Sequence, residues 1–226
     1  MHEVSELALE TRKRVAAEAA AELVEERTRV GLGTGSTVAP LLPALARRAL
    51  RGVRYVATSV GTAQQARALG LHVEEFDSSE ALDRLDLAID GADQIDPRWW
   101  VVKGGGGAHT REKVVAAAAE RFVLIGTEEK LVPELRPPVP LELLRFGLAA
   151  TLRALALAEI RADAPPTPDG GVIADYHGPI DDPAVLSAML DGVPGVVEHG
   201  LFPPSMVSAV IIGTDAGARR ATAAAG

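Results

Sequence analysis

The 226-residue chain contains no cysteine. Disulfides and thiolate chemistry are thereby excluded, and the composition fits a reducing cytoplasm. No apolar stretch reaches the roughly 20 residues that a membrane-crossing helix needs, so no membrane partner is expected. Positive charge is also scarce. With 23 lysines and arginines against 31 acids, the formal charge is -8, which argues against a nucleic-acid surface and against attraction to anionic lipid. None of the five histidines, His2, His72, His109, His177 and His199, pairs with another at the i, i+4 spacing of a helical zinc site. No metal and no cofactor are expected, and no Ser-His-Asp or Cys-His spacing suggests covalent hydrolysis. The opening stretch, MHEVSELALETRKRVAAEAAAELVEE, reads as an amphipathic helix without the apolar core and cleavage pattern of a signal peptide.

What is present is a 47% hydrophobic chain able to build a sizeable core. Helical and strand patterns alternate along the first part: a helix to about residue 24, strand 29–32, helix 37–50, strand 53–57 and helix 61–69. Strands near 72–75, 85–89 and 99–102, a helix over 111–120 and a strand at 122–125 follow. This rhythm predicts an α/β fold, a mostly parallel sheet with helices on both faces. Pro133, Pro137, Pro138 and Pro140 mark a boundary. Beyond it, a helix at 145–157, strand 172–175, helix 183–190 and strand 196–199 suggest a smaller α+β domain, inserted before a last strand at 207–212. The expected domains are residues 1–132, completed by 206–226, and 133–205. The tail AGARRATAAAG is expected to fray.

Two segments carry chemistry. In DGADQIDPRWWVVKGGGGAHTREK, residues 90–113, Asp90 and Asp93 follow one apolar run and Lys103 ends another, immediately before four glycines. In open α/β sheets ligands bind at the carboxyl ends of strands. Successive glycines let backbone N–H groups approach an oxyanion closely, and Thr110 is a plausible N-cap that would put Glu112 in a helix's first turn. There the helix dipole favours the ionised carboxylate, while burial opposes it. The second segment, RVGLGTGST at 29–37, runs from strand through a glycine turn toward a helix start, a ready anion site. Its third glycine comes one position too early for a dinucleotide fingerprint, and no P-loop lysine follows, which favours a single phosphate.

Together these segments make the chain resemble ribose-5-phosphate isomerase of the A type. The resemblance rests on GLGTGST at 31–37, TSVGTAQQARALG at 58–70, DGADQID at 90–96 and KGGGGAHTREK at 103–113. It continues with Lys130, PLEL at 140–143, VPGVVE at 193–198, GLF at 200–202 and IIGT at 211–214. It implies a Rossmann-like fold and a phosphate-contacting loop at Thr34, Gly35, Ser36 and Thr37. It implies a second substrate loop at Asp90, Gly91, Ala92 and Asp93, and a third at Lys103, Gly104, Gly105 and Gly106. Glu112 would be the proton-transferring base, Lys130 a substrate lysine and Lys13 a further basic residue near the phosphate. Gln94 departs from a usually acidic position and His109 from a usually apolar one. His109 is read as a polar residue on the outer face of its loop, against the alternative of a second acid or base.

The activity implied is interconversion of D-ribose 5-phosphate and D-ribulose 5-phosphate, in the non-oxidative pentose phosphate branch. Glu112, Asp90, Asp93 and Lys103 would be catalytic, the last assisted by the amides of residues 104–107. The resemblance also implies a homo-oligomer, dimer or tetramer, acting on a small-molecule sugar phosphate. Two rivals of similar fold stay open: a non-catalytic sugar-phosphate sensor, and a transferase acting on coenzyme A esters. The glycine loop beside Lys103 and the Asp90, Asp93 pair suit a polyol better than a thioester.

Overall fold

The computed structural model describes residues 2–78 and 82–222, with side chains of the first helix described from residue 6 onward. Helix α1 (His2–Ala21) is followed by strand β1 (Arg29–Leu32), helix α2 (Leu41–Arg48), strand β2 (Arg54–Ala57) and helix α3 (Val60–Ala68). These agree with the expected elements in kind and order, but α2 starts late. Residues 36–40 form a turn in which the Val38 and Ala39 N–H groups donate to Gly35 O. The helix begins only after Pro40, its N-cap. Pro40 and Pro43 thus occupy the cap and first turn, where a missing N–H costs nothing. The helix N-terminus expected at the glycine turn is therefore displaced. Helix α3 is capped by Ser59, whose hydroxyl accepts the Thr62 N–H. The strand expected at 72–75 reduces to one bridge, Tyr55 to Val73.

Next come strands β3 (Leu87–Gly91), β4 (Gln94–Ile95) and β5 (Val101–Val102), helix α4 (His109–Ala117) and strand β6 (Phe122–Thr127). They are followed by β7 (Val139–Leu143), α5 (Leu148–Leu155), β8 (Ala158–Ile160), β9 (Val172–Tyr176) and α6 (Pro183–Asp191). Strands β10 (Val196–His199), β11 (Leu201–Phe202), β12 (Ala209–Thr214) and β13 (Gly217–Thr222) complete the described chain. Thr110 is not the cap of α4. It lies inside the first turn, and its buried hydroxyl has no hydrogen-bond partner among the described residues. The tail expected to fray is β13, paired along its whole length with β12, while residues 223–226 lie outside the described residues.

The chain divides into two compact units. One comprises the residues up to Ala92, Arg111–Lys130 and the chain from Ser205 on; the other comprises Asp93–Thr110 and Leu131–Pro204. Segment 93–110 thus packs with the second unit, because β4 and β5 pair with each other and with β11 instead of joining the parallel sheet.

The first unit is built on a six-stranded sheet of order β13-β12-β6-β3-β1-β2, parallel except for β13. Ala17 and Ala20 of α1 and Leu41 and Leu45 of α2 share a core with Val30, Leu32, Ile89 and Ile125. The alternate residue Gly31 faces the other way, toward Val115 of α4, so helices cover both faces. The chain order reverses between β1 and β3, and the ends of these two strands are where such a sheet binds ligands.

In the second unit, the antiparallel sheet β10-β7-β9-β8 packs Leu141, Leu143 and Ala174 against Leu155 of α5 and Leu186 and Leu190 of α6. Asp182 caps α6 by accepting the Ala184 N–H at 2.9 Å, and Pro183 takes the N1 position.

Helix α1 has no basic residue in its last turn. Arg48 of α2 supplies the missing cation, donating to Ala21 O, which also accepts the Val24 N–H, and at 2.7 Å to Val24 O just past the helix end. Arg48→Met keeps the aliphatic stem and removes both bonds. We expect it to destabilise the chain by about 1–3 kcal/mol, read as a lower urea midpoint at unchanged m-value. An unchanged midpoint would show that water replaces the guanidinium.

Candidate active site

In the first unit, Asp90 is the penultimate residue of β3 and is buried. Its Oδ1 accepts the Thr34 N–H at 3.2 Å and the Gly91 N–H at 2.7 Å. The carboxylate thereby ties the end of β3 to the loop after β1. A Cβ at Gly33 would overlap the Asp90 carboxylate, so only glycine lets these two segments meet. Thr34 Oγ1 lies 2.7 Å from Thr58 Oγ1 and 3.3 Å from Thr62 Oγ1, and Thr62 donates to Gly33 O at 3.1 Å. Thr58 joins this hydroxyl cluster.

Gly35 and Ser36 are exposed and Thr37 is buried next to Gly91. Lys13 of α1 donates to Ser36 Oγ at 3.1 Å and to Glu10 Oε1 at 2.7 Å. It therefore lies on this loop. Lys130 ends a 3-10 turn, Glu128–Lys130, with its stem over Gly126. Ala92 is buried and closes this part of the unit.

Glu112 is 5% exposed and lies in the first turn of α4. Its position follows from packing. A Cβ at Gly31 would overlap Val115 Cγ1, so α4 crosses β1 at Val115. Only four residues join α4 to β6, so the helix runs antiparallel to the strands. Glu112 is three residues earlier, on the same helix face and about one 5.4 Å pitch away, toward the carboxyl ends of the strands.

In the second unit, Asp93 Oδ2 accepts the Gly105 N–H at 2.8 Å, and Gly107 N–H donates to Gly104 O at 2.9 Å. Lys103 is 3% exposed. Its N–H donates to Gly200 O at 2.8 Å, and its Nζ lies 5.7 Å from the centroid of the Phe202 ring, within cation-π range. Gly104 is buried, whereas Gly105 and Gly106 are exposed. His109 is not on an outer face: it is fully buried, and a Cβ at Gly104 would stand 2.6 Å from its Nδ1. Gln94 pairs both ways with the backbone of Arg136, donating to its O and accepting its N–H at 2.8 Å each. That contact gives it a local structural task that an acid could perform only in half.

The sequence showed no sign of Arg161 and Asp175. Arg161 Nη1 donates to Gly104 O at 3.2 Å and Gly105 O at 2.9 Å, while Asp175 takes its Nε and Nη2 at 2.8 and 2.5 Å. The pair lies 14 residues apart on neighbouring strand ends, a relation that antiparallel pairing creates and that no local spacing signals.

Asp191, Glu198 and His199 bring one potential ligand atom each within 4.8 Å of one another. The hydrogen bonds do not suit a metal. His199 Nδ1 accepts the Leu201 N–H at 3.1 Å, so the neutral ring carries its proton on Nε2, which faces Asp191 Oδ1 and Ser187 Oγ at 3.2 Å.

Known proteins of one family match the chain over nearly its whole length. The ribose-5-phosphate isomerase A of Caulobacter vibrioides (strain NA1000 / CB15N) is 42% identical over 228 residues, covering 95% of this chain and 99% of that protein. The crystal structure of ribose 5 phosphate isomerase A from Neisseria gonorrhoeae superposes with a TM-score of 0.88 at 33% identity, over 96% of this chain and 98% of that one. A D-ribose-5-phosphate isomerase solved in complex with phospho-erythronic acid has a TM-score of 0.85 at 32% identity, over 93% and 97% of the two chains. The family model for ribose 5-phosphate isomerase A (phosphoriboisomerase A) matches residues 54–217, and with the relatives' near full-length coverage it shows that the chain belongs to that family.

Proposed function

We propose that the chain is an aldose-ketose isomerase that interconverts D-ribose 5-phosphate and D-ribulose 5-phosphate in the cytoplasm, without a cofactor. One observation carries the reading. At the carboxyl end of the parallel sheet, the first unit holds both a hydroxyl-rich turn with a lysine on it and a buried carboxylate in a helix's first turn. A phosphate seat and a base are what this isomerisation needs. A sensor has no use for the base, and the likeness to isomerases over nearly the full chain does not favour the coenzyme A transferase reading.

Glu112 removes the proton from C2 of the open-chain aldose. The C–H electron pair becomes the C1–C2 double bond, and the C1 carbonyl oxygen takes the negative charge of the enediolate. The O2 proton passes to O1, Glu112 returns its proton to C1, and a ketone remains at C2. The charge on oxygen is met by Lys103 and by backbone amides, a contribution of about 2.7–4 kcal/mol per donor in other enzymes. Not all four glycine amides serve: those of Gly105 and Gly107 are engaged by Asp93 and Gly104 O. Asp90 and Asp93 hold sugar hydroxyls as well as their own loops. The phosphate is held by Thr34, Gly35, Ser36 and Thr37 with Lys13, and Lys130 is a second candidate for its charge.

Glu112→Gln keeps size and hydrogen bonding but cannot accept a proton. Its kcat is expected to fall at least about 100-fold, with KM little changed and exchange of the C2 hydrogen with solvent nearly lost. Retention of kcat, together with loss of exchange in Asp93→Asn, would move the base to Asp93.

Lys13→Met and Ser36→Ala are expected to raise KM for ribose 5-phosphate while leaving kcat within about twofold, since binding lost equally in ground and transition states leaves kcat unchanged. Equal losses on unphosphorylated ribose would instead assign the loop a folding role.

The same reading carries a homo-oligomer. Phe146, 92% exposed, is apolar surface that such an assembly would cover. Light scattering at micromolar concentration checks this, and a monomer would remove the claim without touching the chemistry.

A further inference from the structure

Arg161 follows β8 and donates its N–H to Ile173 O at 3.0 Å. Glu159 pairs with Asp175 across β8 and β9, so residues 159, 161, 173 and 175 share one face of the sheet. The glycine loop lies over that face: a Cβ at Gly107 would stand 3.3 Å from Ile173 Cγ1, and Gly104 and Gly105 turn their carbonyls to Arg161. One edge of the guanidinium is held by both oxygens of Asp175, and Nη1 takes the two carbonyls. A lysine has no such planar fork with which to fill both roles. Asp175, above all through its hydrogen bonds, raises the guanidinium above its ordinary pKa, and Asp93 adds to the field.

The consequence follows from the trans peptide unit, in which C=O and the next N–H point in opposite directions. With Gly104 O and Gly105 O both drawn to Arg161, the N–H groups of Gly105 and Gly106 face the other way. The first of them reaches Asp93. Gly105 and Gly106 are exposed, and with the Gly105 amide held by the Asp93 carboxylate it is the Gly106 amide that is turned outward as a donor for an anion. A cation bonded to the carbonyl side also polarises both peptide groups, which strengthens them as donors.

We propose that Arg161, locked by Asp175, is a positioning residue that holds the Gly105 amide on Asp93, aims the Gly106 amide at the negative oxygen formed in the reaction, and lends its charge to that oxygen through the Gly106 peptide. The proposal rests on the reading of the glycine loop as the seat of that charge. It assigns Arg161 no contact with the sugar and no part in holding the phosphate.

The test compares Arg161→Met, Arg161→Lys and Asp175→Asn with the wild-type chain, measuring kcat and KM for ribose 5-phosphate and inhibition by two probes. Phospho-erythronic acid presents a carboxylate where the enediolate charge would lie, whereas inorganic phosphate probes only the phosphate seat. Arg161→Met is expected to lower kcat at least about tenfold and to weaken phospho-erythronic acid by a similar factor, with phosphate inhibition within twofold of wild type. Arg161→Lys should recover part of both losses. If Arg161→Met does not fold, Asp175→Asn must show the same split between the two probes. Loss of both probes together, or of neither, overturns the proposal. A wild-type chain that forms no ketose would sink the underlying reading, and with it the inference. A working wild type that Arg161→Met leaves unchanged would sink the inference alone.

Discussion

The first unit depends on one carboxylate. Asp90 ends a buried strand at the point where the strand order reverses, and its Oδ1 accepts N–H groups from both its own loop and the loop after β1. Hydrogen bonds to an ionised group contribute about 1.5–3 kcal/mol each, enough to hold a glycine-rich turn that would otherwise have little reason to adopt one shape. Once the turn is held, the threonine hydroxyls at 34, 58 and 62 converge and Ser36 meets Lys13. The order of cause runs from a carboxylate on two amides to a convergence of hydroxyls with a lysine beside them.

The second unit repeats the device in a different setting. Four glycines in a row suggest a flexible connector, yet Asp93 takes one amide, an internal turn takes another, and Arg161 takes two carbonyls. Gly104, Gly105 and Gly107 lie close against His109, Asp93 and Ile173, whereas a side chain at Gly106 would meet nothing. His109 presses on Gly104, leaving no room for a side chain there.

The parallel strands were legible because each is a short apolar run buried on both faces, and such runs need no long-range information to be recognised. The motif loops were legible because they follow those runs directly. Strands β4, β5 and β11 were not recognised as a separate sheet, since two-residue strands carry no periodicity and β5 pairs with β11 across about a hundred positions of chain. The start of α4 was misread because Thr110 has the composition of a cap while the chain already turns helical at His109. Arg161 was invisible for a related reason: a lone arginine after a short strand looks like surface until its partner strand is known.

Strand β13 was taken for a loose end because GARRAT has the polarity of one. Its alanines and arginines lie on the exposed edge, and its backbone pairs fully with the buried strand β12. At the opposite edge, the backbone of Tyr55 in β2 exchanges hydrogen bonds with residues 72 and 74. An open margin on a sheet invites a strand from another molecule, and charged side chains there repel such an addition. Arg219 and Arg220 thus give the sheet a charged border that discourages another chain from adding a strand during synthesis or at high concentration.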